Sequence, residues 1–250
     1  MSTKISAATA LSQVTKSYKL PVGGVGSSAC CVTMETLSKF VLTYCSNIGV
    51  VFDYDNSDRF YSCDVHRYIE NYSSKTPIGL LITSGAKKLV VSLDEPDAGT
   101  MNWSSSSGTY DTLFTSRTTA GEDWDGQGHA EAANLTDSDY AMGYCYTYSK
   151  AGGNGNGIDA GNWWLPSVAE LYLIHAHYEQ INAVLSTLEN EVGTSVTQLQ
   201  RTDYWSSTES SSSSAWRVTF NAGYVGANSK TSGSYRVRPV SALQSYTAIS

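Results

Sequence analysis

The segment 165–188 constrains the fold more strongly than any other part of the sequence. Ser167 and Glu170 have the spacing of a capping box, which marks the start of a helix. Apolar residues then recur at helical spacing, so the helix must bury one broad face. They are Leu171, Ile174, Tyr178, Ile181, Leu185 and Leu188. His175 and His177 would point about 200° apart on this helix, so they cannot chelate one metal ion.

Strand patterns lie on both sides of this helix. Residues 78–82 and 88–93, joined by a turn with Gly85, predict a hairpin. After Arg201, short strands are predicted in which apolar inward side chains alternate with polar outward ones. The inward set is Trp205, Ala215, Trp216, Val218, Phe220 and Val225; the outward set is Arg217, Thr219 and Asn221. With a second helical region between residues 130 and 148, these patterns predict an α+β fold.

The residues between the hairpin and the helix carry few signals of regular structure. Residues 94–128 are polar and glycine-rich, and Trp103 and Trp124 are their predicted anchors. His129 and Glu131 stand at a predicted helix start, and we interpret them as structural rather than catalytic. Nothing here has the arrangement of a nucleophile, a base and an acid, so no catalytic residue is predicted.

Composition excludes several classes of partner. The net charge of −7 argues against nucleic acid, which needs clustered Lys and Arg to displace counterions from phosphates. Apolar runs are too short to cross a bilayer, and the N-terminus lacks the pattern of a signal peptide. We therefore expect that the protein folds in a cytoplasm and does not insert into a membrane.

Five cysteines without C-x-x-C spacing predict buried free thiols rather than disulfides or a zinc site.

One acidic segment has the look of a calcium loop. Residues 53–58 read Asp-Tyr-Asp-Asn-Ser-Asp, but Asp58 occupies the position where the sharp turn needs glycine. We interpret the segment as a solvated turn between strands. No metal ion and no cofactor are predicted.

Three motifs in the second half of the chain identify a resemblance. They are W-L-P-S-V-A-E-L at 164–171, Y-W-S-S-T-E at 204–209 and V-R-P-V at 237–240, with Ala215, Trp216, Gly223 and Lys230 between the last two. In this order they resemble the C-type-lectin-fold variable proteins of diversity-generating retroelements, a class that includes phage tropism determinants. The resemblance spans residues 77–243. It implies two helices, a twisted antiparallel sheet and a ligand-binding face built from the C-terminal strands and loops.

A shorter resemblance concerns the N-terminus. K-I-S-A-A-T-A-L at 4–11, K-L-P-V-G-G at 19–24 and V-T-M-E-T-L at 32–37 are similar to the opening segment of phage tail and fibre proteins. This similarity implies attachment to a virion or seeding of an oligomer. The predicted organisation is an attachment or oligomerisation module at 1–46, a connecting segment at 47–76, a C-type-lectin-fold domain at 77–245 and a tail at 246–250.

The retroelement resemblance explains why serines stand between two tryptophans. Adenine-directed mutagenesis of this class yields codons ending in a pyrimidine, which cannot encode Trp, Lys, Met, Gln or Glu. Between residues 210 and 236, only Trp216 and Lys230 lie outside the reachable set. The remaining side chains are small and polar, with Tyr and Arg, as in binding surfaces that adapt to many ligands.

We therefore predict a diversified ligand-binding surface, here called the variable face. Its residues are Ser210, Ser211, Ser212, Ser213, Arg217, Thr219, Asn221, Ala222, Tyr224, Gly226, Asn228, Ser229, Thr231, Ser232, Ser234 and Tyr235. Its predicted scaffold anchors are Trp164, Trp205, Trp216, Gly223, Lys230 and Arg238. The expected ligand is a host cell-surface protein or glycan. The expected assembly is a homotrimer with other tail proteins in a phage virion, and display on a bacterial cell surface is the alternative location.

Two other functions use this fold. Formylglycine-generating enzymes need reactive cysteines near the C-terminal end, whereas the last cysteine here is Cys145. Calcium-dependent lectins select sugars with a tripeptide similar to Glu95-Pro-Asp97, but this one lies far upstream of the C-terminal strands and lacks a W-N-D partner. Binding without catalysis is the prediction, and the calcium-dependent lectin and the enzyme remain alternatives.

Overall fold

The structure is a computed structural model that describes residues 48–53, 60–153 and 156–243, and the backbone of 246–248. Its strands are β1 (Ile48–Asp53), β2 (Phe60–Cys63), β3 (Pro77–Ser84), β4 (Lys87–Ser92), β5 (Lys150–Ala151), β6 (Gly157–Ile158), β7 (Trp163–Trp164), β8 (Asp203–Ser211), β9 (Ser214–Thr219), β10 (Tyr224–Ser229), β11 (Val240–Ser241) and β12 (Tyr246–Ala248). Its helices are α1 (Val65–Tyr72), α2 (Arg117–Gly121), α3 (Gly126–Ala133), α4 (Ala141–Thr147), α5 (Val168–Ala176) and α6 (Tyr178–Thr187), followed by a π-helical turn (Leu188–Val192). The predicted α+β class, with antiparallel sheets, is confirmed.

The main sheet of the described residues has the order β12-β2-β1-β3-β4-β11-β7. The predicted hairpin is β3 and β4, and β1 pairs with β3 along almost its whole length. Residues 48–53 and 60–72 therefore belong to the sheet and to the helix packed on it, which corrects their assignment to a connecting segment. Residues 246–248 pair in parallel with β2, which corrects their assignment to a tail. The pairing of β1 with β3 and that of residues 246–248 with β2 join segments distant in sequence, and such pairing leaves no local signal.

The predicted long helix starts as expected and then breaks once. The Ser167 hydroxyl and the Glu170 carboxylate form the complete capping box at the start of α5. At His177 the helix ends and α6 begins, and His177 Nδ1 lies 2.9 Å from the Leu173 carbonyl. The predicted apolar positions face the core, with Tyr178 only partly buried. Within the described ranges, no helix is long and apolar enough to cross a membrane.

A second sheet of the described residues, ordered β10-β9-β8, packs one face against the same core. Trp216, Val218, Phe220 and Val225 point into that core, as predicted. Trp205 does not, because the register pairs it with Arg217 on the opposite face of the sheet. That face is covered in part by a second cluster containing Trp103, Trp205 and Ala215. The alternation was therefore predicted correctly for residues 216–219 of β9, but Trp205 and Ala215 were assigned to the wrong face.

The glycine-rich region contains one buried and one exposed tryptophan. Trp103 is fully buried, and its Nε1 donates to the Ser206 carbonyl at 2.8 Å. Trp124 is 39% exposed, so its prediction as an anchor is wrong. Composition alone could not separate these two indoles, because neither stands in a periodic pattern. Cys63 and Cys145 are buried free thiols, as predicted; the other three cysteines, the N-terminal module and most of the acidic segment after Asp53 lie outside the described residues.

Candidate ligand-binding face

Cross-strand pairing arranges the variable face along the outer side of β9 and β10. Thr219 pairs with Tyr224, and Arg217 pairs with Gly226. The turn containing Ser212 lies at one end of β9 and the turn containing Asn221 lies at the other. Six strand residues separate these turns, or about 20 Å. The predicted residues therefore form an elongated surface rather than one pocket.

Most side chains of the variable face reach the solvent. The exposed members are Ser212, Ser213, Asn221, Ala222, Tyr224, Thr231, Ser232 and Ser234. The partly buried members are Ser210, Ser211, Arg217, Thr219, Asn228, Ser229 and Tyr235, and Gly226 is buried. A Cβ atom at Gly226 would lie 3.1 Å from Cε1 of Tyr224, so this glycine lets the neighbouring side chains approach the strand.

The centre of the face is a connected polar cluster. The guanidinium of Arg217 lies 4.9 Å from the ring centroid of Tyr235 and 2.8 Å from Oδ1 of Asp203. Asn228 donates to the Tyr235 hydroxyl. The Tyr235 ring in turn packs edge-on against Trp205 at 4.7 Å. These side chains position one another, whereas the serines of the turn extend into solvent.

Lys230 holds in place the turn at Ser212 and Ser213, here called the serine turn. Its ammonium forms an ion pair with Glu209 and donates to the Gly108 carbonyl at 2.7 Å. Its backbone N–H donates to the Ser213 carbonyl at 3.0 Å, and its backbone carbonyl accepts from Trp103 N–H at 2.9 Å. One buried lysine therefore joins the turn, the end of β10 and the loop after Trp103.

The other predicted anchors also lie in the framework. Trp164 Nε1 donates to Glu170 Oε2 at 3.1 Å. Gly223 has φ +65, which favours glycine, and its Cβ position lies 3.4 Å from the His175 ring. Trp216 is 7% exposed, and its Nε1 donates to the Phe114 carbonyl at 2.8 Å.

Arg238, in the V-R-P-V motif, forms a buried ion pair with Glu95 at 2.8 Å. Glu95 also accepts from Tyr204 at 2.7 Å and from Arg236 at 2.7 Å. Both Glu95 oxygens are thereby used by the framework. The tripeptide at 95–97 thus contributes a structural carboxylate at its first position.

Sequence reasoning missed two neighbours of the variable face. The exposed serines 105–107 belong to a loop whose Gly108 N–H donates to the Ser212 carbonyl at 2.7 Å. The guanidinium of Arg117 lies 4.5 Å from the ring centroid of Tyr224. The signal for the loop was present in the sequence, because Trp103 is followed by four serines, much as Trp205 precedes its own serine run. The position of Arg117 had no such signal.

His129 forms the centre of a buried charged network. Its Nδ1 lies 2.6 Å from Asp111 Oδ2, and its Nε2 lies 2.8 Å from Asp123 Oδ2. Burial lowers the pKa of His129, but hydrogen bonds and charges from Asp123 and Asp111 outweigh it and raise the pKa to about 9. Asp123 also accepts from Thr208 at 2.5 Å. Both ring nitrogens are occupied, so this histidine has none free for a metal ion or a substrate.

Glu170 is the second titratable group with a displaced pKa near the helix start. Burial raises its pKa to about 7, although the hydrogen bonds from Ser167 and Trp164 act to lower it.

Across the part of the chain that the structure describes, no group of three or more His, Cys, Asp or Glu side chains could hold a metal ion.

These anchors, strands and turns all lie within one matched region. The model of the Lcl C-terminal domain family matches residues 96–241, more than half of the chain. The chain belongs to the Lcl C-terminal domain family. Membership of this family supports the identification of the chain as a variable protein similar to those associated with diversity-generating retroelements. It also supports a binding function of the adhesin type. Strands β1 to β4 precede the Lcl match.

Two other comparisons accompany the Lcl match. A fimbrial protein from Bacteroides ovatus ATCC 8483 is similar to this chain with 20% identity and a TM-score of 0.41, over 61% of this chain and 35% of the fimbrial protein. The chain thus spans about a third of that protein's length. No curated protein sequence matches the chain.

Proposed function

We propose that this chain is a receptor-binding protein that presents the variable face to a host cell surface from the tip of a phage tail fibre. The observation that supports it most directly is the contrast around Lys230. A fully buried lysine and its partner Glu209 fix the backbone, while the serine turn above them is exposed. Side chains on such a turn can be exchanged without disturbing buried contacts.

The proposed framework is a C-type lectin fold. The capped helix α5, the antiparallel sheets and the Lcl family membership support this assignment. The proposed activity is binding rather than catalysis, and it requires no cofactor.

The proposed mode of binding is multivalent. Serine, alanine and asparagine make few large contacts, and binding energy is concentrated in residues such as Tyr and Arg. On this face Arg217 already pairs within the chain, which leaves Tyr224 as the exposed aromatic side chain. A single site should therefore bind weakly. Linkage of copies can add about 10²–10⁴ in apparent affinity, and we propose a homotrimer attached to other tail proteins through residues 1–46.

Population sequencing tests the diversification. The codons of residues 205–240 are sequenced from many cells of one culture, together with the codons of residues 165–188 as an internal control. We expect substitutions at adenines of the first set, a nearby reverse transcriptase gene and a matching template repeat. Equal substitution rates in both sets would refute active diversification.

A matched pair of substitutions tests the binding face. Ser212→Tyr changes an exposed position of the variable face, and Ser195→Tyr makes the same change at an exposed position outside it. Labelled full-length variants are applied to cells that bind the wild-type chain. We expect Ser212→Tyr alone to change which cells are bound. Identical binding by both variants and the wild type would contradict the assignment of the face.

A further inference from the structure

A small cleft lies outside the variable face. It has a volume of about 190 Å³ and opens between the start of β4, the segment leading into α3, and α5. Its lining includes Lys87, Lys88, Trp124, Gln127, Trp164 and Glu170. None of these residues belongs to the diversified segment. Pockets for drug-sized ligands have volumes of about 300–1,000 Å³, so this one suits a smaller molecule.

Trp124 forms one wall and is the most unusual side chain of the cleft. Its indole is 39% exposed, whereas Trp103, Trp163 and Trp205 are completely buried. The Lys87 ammonium lies 5.1 Å from the centroid of its ring. An exposed indole beside a concave surface offers a flat apolar face with polar groups at its edge.

Glu170 supplies a carboxyl group to the lining of the cleft. Its Oε2 accepts from Trp164 Nε1 at 3.1 Å and from Ser167 N–H at 2.9 Å. Its other oxygen, Oε1, takes part in neither of these two hydrogen bonds, and the residue as a whole is 6% exposed. A carboxylate oxygen can accept more than one hydrogen bond, so Oε1 can accept from a ligand hydroxyl. Glu170 therefore points to a ligand that carries hydroxyl groups.

The remaining polar groups decide the charge of that ligand. Gln127 Nε2 donates to Glu131 at 2.9 Å, which leaves its amide oxygen as an acceptor. Lys87 and Lys88 provide positive charge, and Asp125 and Glu170 provide negative charge. Because both signs line the same small space, neither an anion nor a cation is favoured. A neutral molecule with one apolar face and several hydroxyls fits this combination.

We propose that the cleft binds a single ring of a neutral hexose, and that it is a second ligand site independent of the variable face. One face of the ring stacks on Trp124. Hydroxyls donate to Glu170 Oε1 and to the amide oxygen of Gln127, and another accepts from Lys87. The volume limits the site to one ring, so a longer glycan would be held by a terminal residue.

The test uses the full-length chain and three probes, the methyl glycosides of D-glucose, D-galactose and D-mannose. Binding is followed by the NMR signals of the tryptophan indole N–H groups. For at least one probe we expect the Trp124 and Trp164 signals to shift, with a dissociation constant on the order of 1 mM, as suits so small a ligand. Absence of these shifts with all three probes at tens of millimolar would overturn the proposal.

Three variants locate the site. Trp124→Ala removes an exposed ring and should weaken binding about 10-fold or more, while Gln127→Ala should weaken it by a smaller factor. Tyr224→Ala removes the exposed aromatic side chain of the variable face and serves as the matched control. We expect it to leave the titration unchanged. Wild-type affinity in both Trp124→Ala and Gln127→Ala, or an equal loss in Tyr224→Ala, would contradict a site in this cleft.

Discussion

Lys230 and Glu209 form an ion pair in which the side chains are 0% and 2% exposed. Glu209 also accepts from the N–H groups of Tyr110 and Asp111, both at 3.0 Å through Oε2. Burial of two charges is costly, and it is offset here by hydrogen bonds to the remaining atoms of both groups. The pair therefore fixes a loop, a strand and a turn that are distant in sequence.

Removal of the lysine charge should destabilise the whole domain. Lys230→Met leaves Glu209 as a buried carboxylate without its cation, which typically costs about 3–5 kcal/mol. Urea denaturation should show this loss in the free energy of unfolding. The control is Arg201→Met, which breaks an ion pair with Glu179 whose side chains are 58% and 56% exposed. Such surface pairs contribute less than about 1 kcal/mol, so equal losses in both variants would contradict the framework role of Lys230.

Substitution should lower the free energy of unfolding strongly at Trp216 and hardly at all at Ser212. Trp216→Ala removes a ring that packs in the main core and should cost about 3–5 kcal/mol. Ser212→Tyr adds a side chain at an exposed turn and should change stability by less than about 0.5 kcal/mol. Thermal and urea denaturation of both variants measure the difference. A Ser212→Tyr variant that fails to fold would mean that the serine turn is structural.

The elements predicted correctly are those with local causes. The capping box of Ser167 and Glu170 predicted the start of α5, and the turn at Gly85 predicted the β3–β4 hairpin. Periodicity separates the two faces of a strand, but it does not reveal what covers each face. Trp205 was therefore assigned to the wrong side of its sheet. Its burial depends on Trp103, which lies about a hundred positions earlier in the chain.

In the candidate site, too, features with local causes were predicted, whereas contacts between distant segments were not. Exposure of the serine turn followed from its composition and from the tryptophans around it. The contacts of His129 did not, since Asp111 is separated from it by α2 and irregular segments, and Asp123 lies just before the helix that carries His129. Its sequence neighbour Glu131 pairs with Gln127 instead. Proximity along the chain was a poor guide to this network.

Positions on the variable face should differ in how freely they can be exchanged. Arg217 and Tyr235 are in contact through the guanidinium and the ring, so their substitutions should not be additive. A double-mutant cycle with Arg217→Ala and Tyr235→Ala should give a coupling of about 0.5–2 kcal/mol in the free energy of unfolding. The control cycle uses Ser212→Ala and Asn221→Ala at opposite ends of β9, where we expect a coupling below about 0.5 kcal/mol. Additivity in the Arg217 cycle would mean that the central cluster does not constrain diversification.

Loss of the proton from His129 should make the domain less stable as the pH rises above neutral. The pKa of His129 is about 9 in the folded chain and about 6.5 in an unfolded one, so the folded state binds the proton more tightly. The stabilisation is fully present below pH 6.5 and is lost as the pH rises through 9. A difference of this size corresponds to about 3 kcal/mol. Urea midpoints measured from pH 4 to pH 10 should fall between pH 6.5 and pH 9 for this reason.

His129→Gln separates this effect from the other titrating groups. Glutamine keeps hydrogen-bonding capacity at this position but carries no charge, so the decline between pH 6.5 and 9 should largely disappear in the variant. Glu170 acts in a lower window, because a folded pKa of about 7, raised from 4.5, makes its ionisation costly between those values. That earlier decline should remain in His129→Gln and should be reduced in Glu170→Gln. An unchanged profile in His129→Gln between pH 6.5 and 9 would show that the imidazolium between Asp111 and Asp123 does not stabilise the fold.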